Sequence, residues 1–92
     1  MLISKPKQRF FGTSCKGRLN RKFTVGQIEK IIGRNKRVSD DPDKVKFSFQ
    51  FLAYGMEMAI WDYKGGRWSL YGNKELFEQL FGEENIEWFY ND

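Results

Sequence analysis

The sequence predicts a small single-domain α+β fold: an antiparallel sheet of three to five strands with two short helices on one face, in the order β-α-β-β-β-α-(β). Three observations carry that expectation. The 92 residues are enough for one hydrophobic core and too few for two. Two short stretches, 25–32 and 74–81, repeat apolar residues at helical spacing between capping residues, and the chain between them alternates apolar and polar residues with a period of two.

Residues 1–9 hold little that can enter a core and read as a basic N-terminal arm, with 10–92 as the folded domain. Over 18–23, Leu19, Arg21 and Phe23 alternate with Arg18, Asn20 and Lys22, a polar strand whose charge suits a sheet edge. Thr24 followed three residues later by Gln27 makes a capping box, and Gly33 supplies the stop. The helix between them has one apolar stripe, Val25, Ile28, Ile31 and Ile32, to lay on the sheet. Asp40-Asp41-Pro42-Asp43 reads as a turn whose carboxylates bond nearby backbone amides. Val45, Phe47, Phe49, Phe51 and Ala53 then form the clearest strand, broken at Tyr54-Gly55, and 57–63 is the next. Lys64-Gly65-Gly66-Arg67 is a hairpin turn leading into a strand over 68–71. Asn73 caps a helix over 74–81 that Gly82 ends, with Leu76, Phe77, Leu80 and Phe81 on its apolar side. The tail alternates Ile86, Trp88 and Tyr90 with Glu87 and Phe89, which suits a last short strand.

Composition narrows the function classes. The chain has no histidine, so the commonest metal ligand and the commonest general base near neutral pH are both missing. Its one cysteine, Cys15, has no internal partner for a disulfide, which agrees with a reducing compartment, and reads as a small buried filler. The N-terminus lacks the apolar run of a secretory signal, and no stretch approaches the ~20 residues of a membrane span, so a soluble, cytoplasmic protein is expected. Glu57 and Asp62 fall on opposite faces of a strand, and no phosphate-cradling glycine motif occurs. No enzyme, metal or cofactor is expected.

Charge is the strongest functional signal. Residues 1–37 hold eleven Lys and Arg against the single acid Glu29, a net +10, while 38–92 hold five against eleven acids, a net −6. If the fold keeps the halves apart, one face is basic and the other acidic. Lys16, Arg18, Arg21, Lys22, Arg34, Lys36 and Arg37 are expected to gather into one patch that binds a partner, with Trp61, Tyr63 and Trp68 as candidate anchors. For the tryptophans, the competing expectation is burial under a helix. A protein or nucleoprotein partner and direct binding of DNA or RNA both suit such a patch, and a sponge for a nucleotide signal also remains open.

The order of residues also resembles a group of small phage and viral proteins. The likeness runs from Gly12-Thr13-Ser14-Cys15-Lys16-Gly17 through Asp43-Lys44-Val45, Ile60-Trp61-Asp62-Tyr63-Lys64 and Trp68-Ser69-Leu70-Tyr71-Gly72 to Leu80-Phe81-Gly82. Members carry a tryptophan-led segment richer in glycine and histidine, where this chain has Ser69 and Tyr71, and no catalytic residue is carried over. The resemblance implies an anti-defence factor in the host cytoplasm, such as an anti-CRISPR inhibitor, that blocks a host protein or nucleoprotein by occupying its surface.

Overall fold

The alternating stretch from Val45 to Tyr63 turns back on itself at Tyr54 and Gly55, whose φ values of +50° and +79° suit a two-residue hairpin. Around this hairpin the computed structural model, which describes residues 2–40, 43–63 and 66–89, builds one sheet. Its elements are β1 (Ile3–Ser4), β2 (Gly17–Leu19), α1 (Val25–Ile32), β3 (Val45–Ala53), β4 (Met56–Tyr63), β5 (Trp68–Tyr71), α2 (Lys74–Phe81), a 3-10 turn (Glu83–Asn85) and β6 (Ile86–Trp88). The six strands lie in the order β1-β3-β4-β5-β2-β6, every neighbouring pair antiparallel. Among the described residues no helix is long and apolar enough to cross a membrane.

Both helices start as their capping residues dictate. The Thr24 hydroxyl accepts from the Gln27 amide at 3.1 Å while the Thr24 amide donates to the Gln27 side chain at 2.8 Å. The Asn73 side chain accepts from the Leu76 amide at 3.0 Å. Ile28 and Ile32 of α1 and Leu76, Phe77 and Phe81 of α2 then meet Phe49, Phe51, Met58, Ile60, Leu70 and Leu19 of the sheet in one core. Each such fully buried side chain contributes roughly 1.5–3 kcal/mol relative to exposure. Gly17 belongs to this side too: a Cβ there would lie 2.7 Å from the Trp88 ring, so the missing side chain lets Trp88 close over β2.

The side chains between the core positions point to the second face, where Ser48, Gln50, Ala59 and Ser69 are all buried. The cover is the link between β1 and β2, residues 5–16, which has to pass from one side of β3 to the far side of β5. Phe10 is buried outside the helix-side core, and its amide donates to the Gln50 side-chain oxygen at 2.9 Å. The small residues of the second face leave room for this crossing segment.

Several expectations change. The sheet has six strands rather than three to five, because β1 lies within the expected basic arm: Ile3 and Ser4 pair with Ala53 and Leu52. β2 stops at Leu19 instead of Phe23, because Asn20 turns the chain, its side chain accepting from the Lys22 amide and its carbonyl from the Phe23 amide. Nor is β2 an edge strand; β6 covers its outer side. Arg18 is its one charge, and the guanidinium lies 5.2 Å from the Phe89 ring centroid. Asp41 and Pro42 of the acidic turn, Lys64 and Gly65 of the glycine hairpin and Tyr90 of the tail lie outside the described residues.

Candidate functional site

The backbone around Arg37 fills the part of the β3 edge that β1 leaves open. Arg37 bridges to Phe49, with the Val38 amide donating to the Ser48 carbonyl and the Gln50 amide to the Lys36 carbonyl, both at 2.9 Å. Alternation across this bridge turns Arg37 to the helix side, where its guanidinium stands 3.6 Å from a Glu29 carboxylate oxygen and 4.8 Å from the Phe47 ring centroid. Lys36 takes the opposite side. There it meets the crossing segment, which bends at Lys7 and Gln8.

Residues 5–9 and 35–39 thus form two walls of a cleft of about 320 Å³, with Gln50 between them. Gln50 ties both walls down, the first through its side chain to Phe10 and the second through its backbone to Lys36. Lys5, Lys7, Arg9, Lys36 and Arg37 contribute to the lining, and no carboxylate does among the described residues. The Arg9 guanidinium lies 3.6 Å from an Asp40 carboxylate oxygen at the rim.

Lys36 is the unusual member. It is 7% exposed, and its Nζ donates to the Asn35 side-chain oxygen at 2.6 Å. No salt bridge to a carboxylate engages it among the described residues. A Cβ on Gly33, the C-cap of α1, would lie 2.7 Å from Nζ, so the ammonium sits beside the negative end of that helix.

The remaining predicted cations do not join this cleft. Arg18 and Arg21 line a second one of about 280 Å³ with Arg67, at the β2–β6 end of the sheet, where Glu84 and Glu87 share the lining. β2 is three strand spacings from β3, about 14 Å. Lys16 lies by the start of β2 in a third hollow with Glu57 and Tyr71. Lys22 sits in the turn before α1, its Nζ 5.6 Å from the Phe23 ring centroid, and Arg34 is exposed just after the α1 cap. The expected single patch is therefore divided: of the predicted set only Lys36 and Arg37 line this cleft, Arg37 with its guanidinium turned to Glu29 on the helix side.

The three aromatic candidates also separate. Trp68 is core, its indole N–H donating to the Phe23 carbonyl at 2.7 Å and its ring 6.1 Å from Phe49, so it cannot anchor a partner. Trp61 is half-buried on the second face between Ser48 and Ser69, and Tyr63 is exposed at the end of β4. Lys5, Lys7 and Arg9 belong to the basic half of the sequence but not to the predicted site. Their signal was density, three cations in five positions.

Asp62, considered with Glu57 for acid–base work, is buried and accepts from the Phe47 amide at 2.7 Å, where β3 shifts register between Val45 and Ser48. That carboxylate satisfies a donor the bulge leaves out of the ladder. Glu57 is exposed. Cys15 is half-buried and its thiol donates to the Gly17 carbonyl at 3.3 Å. Among the described residues no three His, Cys, Asp or Glu side chains gather in a way that could hold a metal ion. On the other side of the charge division, Glu75, Glu78 and Glu83 share a shallow acidic hollow along α2. No family model, curated protein or solved structure matches this chain.

Proposed function

We propose that this protein acts by binding rather than by chemistry, docking its basic cleft onto a polyanionic surface of a host protein or nucleoprotein and so inhibiting or redirecting it. The observation that carries this reading is a cleft with Lys5, Lys7, Arg9 and Lys36 around it and, among the described residues, no carboxylate in its lining. Such a field steers an anionic partner and fixes its orientation. The likeness to small phage proteins supplies the setting, an anti-defence role in the host cytoplasm, and needs no catalytic residue or cofactor.

Affinity capture from host lysate tests it, comparing the parent protein with Lys5→Glu/Lys7→Glu and with Arg18→Glu/Arg21→Glu. The expected result is a discrete partner retained by the parent and by the second variant and lost by the first. A partner lost by the second variant alone would move the function to the β2–β6 end. The same partner captured by all three would remove the cleft from the account.

A further inference from the structure

We infer that the group seated in the cleft is the phosphodiester backbone of a single-stranded nucleic acid, with Phe11 as the platform on which one unpaired base stacks. The inference rests on the reading of the cleft as the contact surface and goes further by naming what it contacts.

Phe10 and Phe11 are neighbours with opposite fates. Phe10 is 8% exposed and pinned to Gln50, whereas Phe11 is 89% exposed, the most exposed of the large apolar side chains. Its ring therefore stands on a segment anchored one residue earlier, two residues beyond Arg9 at the cleft wall. The backbone carrying the ring is thus held before a flat ligand lands on it, which lowers the ordering cost of binding. A phosphate-binding cleft with an aromatic platform at its end is the arrangement by which proteins hold single strands, cations following the backbone and rings taking the bases. A paired base in a duplex keeps its faces against its neighbours and offers none to Phe11.

The cleft also suits a strand by size and composition. A volume of about 320 Å³ admits about one nucleotide unit. Lys36 is held at the cleft by Asn35 and the end of α1, so its position is fixed before a ligand arrives. The cleft at the β2–β6 end lacks this logic, because Glu84 and Glu87 oppose any phosphate drawn to its arginines.

Fluorescence anisotropy with a labelled 12-nucleotide single strand and the matching duplex, over a series of salt concentrations, tests the inference. The single strand is expected to bind more tightly than the duplex. Phe11→Ala is expected to weaken single-strand binding about 5- to 150-fold, the range for one stacked base, without changing the near-UV circular dichroism. Lys5→Glu/Lys7→Glu is expected to flatten the plot of log K against log salt by about 1.4, two phosphate contacts at the single-strand slope. Uridine monophosphate should not displace the strand at equal nucleotide concentration; displacement would assign the cleft to a free nucleotide and overturn the inference. Equal affinity for the duplex, or an unchanged affinity in Phe11→Ala, would also overturn it. Failure of every oligonucleotide to bind, with a nuclease-resistant partner still captured through Lys5 and Lys7, would sink this inference and leave the docking reading standing.

Discussion

Gln50 holds the cleft together, and Gln50→Ala is the most informative structural perturbation. Its side chain is 5% exposed and offers the acceptor for the Phe10 amide, while its backbone amide serves the other wall at the Lys36 carbonyl. Truncation removes the first of these bonds and leaves the second. A buried amide left without an acceptor costs about 1–3 kcal/mol, so the segment carrying Phe10 should open about 5- to 150-fold more often. Hydrogen exchange followed by mass spectrometry reads this directly: peptides covering residues 5–16 should exchange faster by that factor, while those covering α1 and α2 keep the protection of the core. Gln50→Glu supplies a carboxylate acceptor at the same place, and the Phe10 amide should stay protected. If Gln50→Ala leaves the exchange of 5–16 unchanged, the crossing segment is held by something other than this bond, and the cleft is not built as described.

Three further outcomes follow from the packing and the charges. Phe77 is fully buried with ring neighbours Phe51, Phe81 and Trp88, so Phe77→Ala should cost about 3–5 kcal/mol and lower the midpoint of thermal unfolding by at least ~12 °C. Thr24→Ala removes one half of the α1 capping box and should cost about 1 kcal/mol in chemical denaturation, with Thr24→Ser restoring most of it. Asp40 competes for Arg9 at the rim of the cleft, and Asp40→Asn should therefore tighten binding of any polyanion there by a few-fold at low salt, an advantage that fades as salt rises.

The parts of the fold legible in the sequence are those set by neighbours along the chain. Thr24, Gln27 and Gly33 fix α1, and Asn73 and Gly82 fix α2, within a few residues. The alternation from Val45 to Tyr63 fixes a hairpin and its core face. What escaped depends on distant partners. Two residues, Ile3 and Ser4, show no period, and they become a strand only because Ala53 and Leu52 offer an open edge some fifty positions away. The position of β2 inside the sheet depends on β6, which arrives from the far end of the chain.

The site divides in the same way. The charge bias of the first 37 residues was plain, but its distribution follows strand order. Arg18 and Arg34 lie close in sequence yet belong to opposite ends of the sheet, since β4 and β5 stand between β3 and β2. Lys5, Lys7 and Arg9 reach Lys36 because the crossing segment passes over Gln50. For Trp68 the sequence left both burial and anchoring open, and the carbonyl that receives its N–H in the core belongs to Phe23, 45 positions earlier.

Solution NMR of the labelled protein during titration with a short single strand decides whether Lys5, Lys7, Arg9 and Lys36 act together as the one anion-binding cleft proposed. Residues 5–11 and 35–39 should shift together and saturate at one stoichiometry, while Arg18, Arg21 and the residues of α2 stay where they are. Shifts centred on Arg18, Arg21 and Arg67, or spread evenly over every lysine and arginine, would contradict it.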